Sequence, residues 1–324
     1  MKDLRDYDFL KHVKGFASAQ SAIVFFIVYL IVAALLVPKF ANAENLVNIV
    51  VQSSELILLA CGMTFVFLNG GIDFSQIAVI ALGSVIGAQI MVSGLPPAVG
   101  VPLGVLAMLC LGLAVGAVNG LAVTLLKMPS FVATMATQLV FSGAALTITR
   151  SKTIPRLPRA FGEIARGSLF GVQYPIIIAL AVFAVLAFLL NRTIYGKYIT
   201  SIGTNHKTAK ISGLPVRLTI FSLFLISGLC AAFASIIMTA RLRGGVPSLG
   251  KDMLMDVVAA VVIGGTSVAG GEGNIHGSLI GAVLVLMLNN SLNLLGVSWY
   301  NIMLCKGLLV LIISLLALWQ RKRA

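Results

Sequence analysis

The sequence predicts an all-α membrane protein of about ten spanning helices, and three observations carry that expectation. Of its 324 residues, 59% are hydrophobic and 10% are charged, against about 25% charged in soluble domains. The apolar residues gather into ten runs divided by polar links. Several runs, such as Ile176 to Leu190, are apolar on every face, which suits a helix in lipid and not the short alternating segments of a membrane barrel. A hydrocarbon core of about 30 Å takes roughly 20 helical residues per span.

The spans are expected over residues 21–38, 48–69, 75–92, 99–126, 131–149, 174–190, 217–240, 254–270, 277–296 and 300–319. Residues 1–20 are polar and charged, and no small-x-small cleavage site follows the first run, so no cleavable signal peptide is expected. The net charge of +13 would suggest nucleic acid on a soluble protein. Here the basic residues lie between apolar runs, so they are read as topology signals and headgroup contacts, with membrane lipid and no nucleic acid as partner. Counting Lys and Arg, thirteen fall on the side of the N-terminus and nine on the other, with Lys306 inside a span. The bias places both termini in the cytoplasm. The expected layout is then a cytoplasmic segment 1–20, a transmembrane domain 21–319 and a basic cytoplasmic tail 320–324.

Two links stand out. The external link 150–173 is long and basic and carries Pro155 and Pro158. The cytoplasmic link 191–216 is polar, with a short helix expected from Asn205 to Ser212, stopped by Gly213 and Pro215. Glycines at four-residue spacing (Gly83/Gly87, Gly112/Gly116/Gly120, Gly273/Gly277/Gly281) stack along helix faces. They let helices pack closely, or alternatively form thin seams that slide. Cys61, Cys110, Cys230 and Cys305 all sit in apolar runs and read as small core residues.

Catalytic chemistry finds little purchase. Gly245 to Lys251 matches Gly-x4-Gly-Lys, but Asp252 stands where a magnesium-binding Ser or Thr belongs, and no strand precedes it. His12, His206 and His276 are scattered, and no Ser/His/Asp arrangement is visible. No enzyme activity, metal or cofactor is expected in the chain. Ionisable residues in spans are candidates by default. Glu55 reads either as interfacial, near the outer end of its span, or as functional. Lys306 reads as an interfacial anchor in preference to a pathway residue. Asp256, at a span start beside Lys251 and Asp252, is expected to stay wet. The junction Gly70-Gly71-Ile72-Asp73-Phe74-Ser75 breaks two apolar runs, with Asp73 or Ser75 able to cap the next helix. It is either a polar site built at a broken helix or a tight cytoplasmic turn. A second junction, Gly264 to Asn274, is alike.

At these junctions the sequence resembles the ribose/xylose/galactose-type permeases of bacterial ATP-binding-cassette importers, within the branched-chain amino acid/sugar permease superfamily. The matching stretches are Gly62 to Val66, Gly70 to Ser75, Asn119-Gly120, Phe131 to Thr134 with Thr137, Ile202 to Asn205 with Ala209 and Ser212-Gly213, Ala259 to Ser267, Asn289-Asn290, Leu292 to Gly296 and Lys306-Gly307. They run in order from about residue 55 to 310. The resemblance implies a ten-helix fold of the vitamin B12-importer type (type II). It implies a bacterial inner-membrane location and a dimer with an identical or sister permease subunit. Two cytoplasmic ATPases would hydrolyse ATP, and a periplasmic binding protein would deliver solute.

By the same resemblance, Gly203, Asn205, Ala209, Ser212 and Gly213 form the coupling segment that an ATPase grips; the alternative is a solvated loop helix. The expected pathway residues for alternating access are Asn69, Asp73, Ser75, Asn119, Thr134 and Asn293. Arg150, Lys152, Arg156, Arg159, Arg166, Arg241 and Arg243 either dock an acidic face of the binding protein or contact headgroups. The family pattern Asp-Leu-Ser followed by Val-Gly is replaced here by Asp73-Phe74-Ser75-Gln76-Ile77, so the solute is a monosaccharide or a similar polyhydroxy compound. Three rivals remain. A branched-chain amino acid permease would want a matched ionisable pair, which only Glu55 and Lys306 could supply. An ion-coupled secondary transporter would need no ATPase, and a membrane enzyme would need a catalytic cluster.

Overall fold

The computed structural model describes residues 19–308 and 311, and its architecture is helical. The helices are α1 (Ala19–Leu36), α2 (Ala43–Leu68), α3 (Gln76–Met91), α4 (Pro97–Thr124), α5 (Ser130–Thr149), α6 (Arg159–Arg166), α7 (Tyr174–Arg192), α8 (Ile194–Thr204), α9 (His206–Ile211), α10 (Val216–Leu242), α11 (Leu254–Ile263) and α12 (Ile275–Leu294). A further helical stretch covers 299–308. Strands β1 (Ser168–Leu169) and β2 (Val172–Gln173) form an antiparallel hairpin between α6 and α7. Among the described residues, α2, α4, α5, α7, α10 and α12 are long and apolar enough to cross a membrane; α3, α11 and residues 23–36 of α1 are shorter apolar helices.

Each expected span coincides with a helix, with informative differences at the ends. The span expected over 254–270 stops at Ile263. Gly265 takes a left-handed backbone, φ +83°, and residues 264–274 form a link until Asn274 caps α12 by accepting from the His276 amide. The link 191–216 holds two helices where one was expected, because α8 continues with buried Ile199 and Ile202 almost directly from α7. The link 150–173 is also not irregular throughout. In α6, Phe161 and Ala165 fall four residues apart on one buried face. The last expected span is helical over 299–308, and its remainder apart from residue 311, the N-terminal segment 1–18 and the tail 320–324 lie outside the described residues.

Burial divides the helices into a centre and a shell. Over its most apolar eighteen residues α2 is 83% buried, whereas α5 is 17% buried. The centre is α2, α3 and α10, and the shell of α1, α4, α5 and α7 presents leucine, valine and phenylalanine outward, as lipid-facing helices do. A close seam joins α4 to α10. A Cβ on Gly112, Gly116 or Gly228 would overlap a backbone oxygen of the facing helix, so the packing reading of the Gly112/Gly116 row holds there. Cys61 and Cys230 are buried in this centre, but Cys110 and Cys305 are exposed, so the core reading of the cysteines holds for two of the four.

The Gly-x4-Gly-Lys stretch is a link between α10 and α11. Gly245 exchanges backbone hydrogen bonds of 2.9 Å with Ile154, which brings the 150–173 link and the end of α10 to one end of the bundle. The short helix α9, with Gly203 and Lys127, lies at the other end.

Candidate functional site

The site grows from the link between α2 and α3. α2 ends at Asn69, and Gly70, at φ +73°, returns its amide to Phe67 O at 2.8 Å. The chain then climbs back along α2. The Asp73 amide reaches Met63 Sδ at 3.5 Å and Gln76 Nε2 donates to Leu59 O at 3.1 Å. Leu59 lies nine residues, about 14 Å, up the helix from Leu68. α3 therefore starts well inside the bundle, where its backbone must find partners in protein. α5 supplies two: Ser130 Oγ accepts from the Ile72 amide at 3.2 Å, and Thr134 Oγ1 donates to Ile72 O at 3.1 Å.

Asp73 is the hub. Its Oδ1 accepts from the Ser75 amide at 2.9 Å and from Ser75 Oγ at 2.6 Å; its Oδ2 accepts from Ser227 Oγ of α10 at 2.6 Å. A carboxylate before the first turn of α3 also meets the positive end of that helix. Gln76 Nε2 donates to Ser227 Oγ at 3.0 Å. From α4, Asn119 Nδ2 donates to Ser75 Oγ at 2.7 Å, and Thr137 Oγ1 of α5 donates to Asn119 Oδ1 at 2.8 Å. Asp73, Ser75, Gln76, Asn119, Thr134 and Ser227 are all buried. Gln76 Oε1 is buried without a partner. It is an open acceptor in a network otherwise satisfied by hydroxyl, amide and carboxylate groups.

Four of the six expected pathway residues, Asp73, Ser75, Asn119 and Thr134, thus share one network. Asn69 sits at the start of the same link, with Oδ1 buried and unpartnered. Asn293 does not join them: it is exposed near the end of α12. Sequence reasoning missed Ser227, whose only signal was a hydroxyl beside Gly228 in an apolar run. It marked Gln76 only as a departure from the family pattern, and quoted Thr137 without a role.

A second junction lies at the end of α2. The Gly271 amide donates to Leu68 O at 2.8 Å, and a Cβ on Gly203 would overlap that same oxygen. The end of α2, the end of α8 and the 264–274 link meet here backbone to backbone. α9 follows directly. Asn205 Oδ1 caps it by accepting from the Thr208 amide at 3.0 Å, Ala209 is buried, and Ser212 ends it before Gly213 at φ +78°. Gly203, Asn205, Ala209, Ser212 and Gly213 are therefore consecutive parts of one helix–turn–helix element. Tyr195 OH lies 2.6 Å from Ser222 Oγ, joining α8 to α10.

The intramembrane charges depart from expectation. Glu55 is buried on α2, and its Oε2 takes Nη2 of Arg241, in the last turn of α10, at 2.9 Å. Asp256 is buried, not wet, because Lys306 Nζ reaches it at 2.9 Å and Asn289 Nδ2 donates to it at 3.2 Å. Lys306 accordingly serves Asp256 and is not an interfacial anchor. Glu55 and Lys306 do not pair with each other. Of the seven basic residues expected to dock a partner, Arg150, Lys152, Arg156, Arg159 and Arg166 are exposed. Arg241 is committed to Glu55, and Arg243 packs its side chain over Gly162 of α6.

A family described as branched-chain amino acid transport system / permease component matches residues 45–314. The chain belongs to this permease family. The permease is 38% identical over 307 residues to the ribose import permease protein RbsC of Bacillus subtilis (strain 168), covering 94% of each chain. It is 34% identical to the D-allose transport system permease protein AlsC of Escherichia coli (strain K12), covering 90% of each. Among solved structures, one described as an inward-facing conformation of a metal-chelate type ABC transporter matches with a TM-score of 0.52 at 15% identity. That match covers 92% of the permease and 98% of its counterpart, and it supports an ABC permease architecture for the fold.

Proposed function

We propose that this permease is the membrane subunit of an ATP-binding-cassette importer that moves a monosaccharide, or a similar polyhydroxy solute, by alternating access. The names of its ribose and allose relatives support the solute class. So does the network around Asp73, whose hydroxyl, amide and carboxylate groups are of the kind that exchange hydrogen bonds with sugar hydroxyls. A branched-chain amino acid is disfavoured: among the described residues, Glu55 pairs with Arg241 and Asp256 with Lys306, which leaves no free matched pair there for a zwitterion.

In this reading the permease has ten spans in a type II bundle in the bacterial inner membrane. Residues 1–20 and the tail 320–324 are cytoplasmic, flanking the domain 21–319. It pairs with a second permease subunit, identical or not, and with two ATPases that hydrolyse the ATP, so that no cofactor sits in this chain. A periplasmic binding protein docks on the Arg150–Arg166 face, where charge gives steering more than affinity.

The observation that carries the reading is the backbone junction of Leu68, Gly203 and Gly271. A rigid-body displacement of α9 by an ATPase passes through α8 to the end of α2, and from there into the link that holds Asp73. Asn69, Asp73, Ser75, Asn119 and Thr134 would then alternate between closed and solute-accessible arrangements.

The test is uptake of radiolabelled ribose and allose into proteoliposomes holding the permease with its ATPase and binding protein. Uptake should require ATP and all three components. Uptake by the permease alone would overturn the proposal in favour of a secondary transporter. Arg156→Glu with Arg159→Glu should lower the stimulation of ATPase activity by loaded binding protein; unchanged stimulation removes the docking face.

A further inference from the structure

At the α9 end of the bundle, a recess of about 650 Å³ opens between the end of α2, the α4–α5 link, α9 and the start of α10. Its charged lining is of one sign, Lys127, Lys210 and Arg217, with the imidazole of His206 beside them and no acidic side chain among the described lining residues. Its volume falls within the range of small-ligand sites. Three cationic groups, Lys127, Lys210 and Arg217, from three separate elements converging on one concavity repel one another unless an anion lies between them.

We propose that this recess holds the phosphate headgroup of an anionic phospholipid. The rim argues for lipid over a soluble anion. Leu218, which lines the recess, is 72% exposed, and Leu125 and Leu126, just before Lys127, are 60% and 72% exposed. An apolar rim around a basic cup matches acyl chains below a phosphate, as in basic pockets between membrane helices. The recess shares Asn69, Gly70, Gly71 and Ser130 with the link that carries the solute network, so a headgroup held there sits at the α9-end mouth of that network, against cations for which a neutral sugar has no use. A bound headgroup ties Lys210 of α9 to Lys127 of the α4–α5 link, setting the resting position of α9 by the lipid present.

The test uses the purified, delipidated permease, without ATPase, titrated with phosphatidylglycerol and read by native mass spectrometry. One phosphatidylglycerol should be retained tightly, and phosphatidylcholine should not. Each basic residue near a headgroup is worth enough that Lys210→Gln should weaken retention about fivefold, and Lys210→Gln with Arg217→Gln roughly 30-fold. Both side chains are exposed, so the fold should survive, which gel filtration checks. Lys152→Gln with Lys251→Gln, at the other end of the bundle, should leave retention unchanged. Equal retention of phosphatidylcholine, or retention unaltered in the Lys210/Arg217 double variant, overturns the proposal. Displacement of the lipid by equimolar inorganic phosphate would overturn it as well, by assigning the cup to a soluble anion. These outcomes do not depend on whether the permease imports sugar.

Discussion

Among the described residues two aspartates are buried, and they are held in contrasting ways. Asp73, fully buried, has three hydrogen-bond donors from Ser75 and Ser227 and, among the described residues, no cation paired with it. Asp256, 8% exposed, is neutralised by Lys306 and touched by Asn289. The Asp73 arrangement is built from small hydroxyls whose bonds can be traded for those of a solute at little net cost, since each exchange replaces one hydrogen bond with another. The Asp256 arrangement cannot be opened so cheaply, because separating the partners leaves two uncompensated charges out of water. One is a site that can rearrange, the other a fixed tie between α11, α12 and the 299–308 helix.

Five substitutions test that contrast. Asp73→Ala should have the largest effect, since it strands three donors at about 1–3 kcal/mol each; the thermal unfolding midpoint in detergent should fall steeply and uptake should vanish. A small shift would mean the hub is wet and the network is not closed. Lys306→Met should cost about 3–5 kcal/mol by leaving Asp256 alone, and adding Asp256→Leu should restore most of the midpoint. If the double variant is no better than the single, the pair is not a simple tie. Ser227→Ala removes one donor to Asp73 and one acceptor for Gln76, and should lower stability by about 1–3 kcal/mol while cutting uptake more sharply than Lys306→Met with Asp256→Leu does. Reversal of that order of uptake would dissolve the distinction between site and tie. Asn289→Leu should have the smallest effect, about 0.6 kcal/mol, because it removes one hydrogen bond and also an acceptor, Asn289 Oδ1, that is buried without a partner.

The contrast also explains what could be read in advance. The apolar runs located the helices because lipid imposes length and composition together, and the glycine-rich junction at 70–75 located Asp73 because a broken run is visible in one dimension. Asp256 was misread because its neighbours in sequence, Lys251 and Asp252, suggested water, while the partner that buries it is fifty residues away. Glu55 and Arg241 are hidden by a longer separation still. Ser227 and Asn293 show the same limit from both sides. Each is a polar residue in an apolar helix, and only the rotation of that helix puts one against Asp73 and the other outward. α6 and α8 were missed because links rich in charge can still be amphipathic over two turns, as Phe161 and Ala165 are.

The contact of Gly112 and Gly116 with Gly228 has a kinematic consequence. With the peptide groups of Gly112, Gly116 and Gly228 touching across the seam, the two backbones interlock, so α4 and α10 travel as a single strut. Whatever geometry separates one access state from the other has to be accommodated around that strut, at helices such as α5 whose faces are mostly free of protein neighbours.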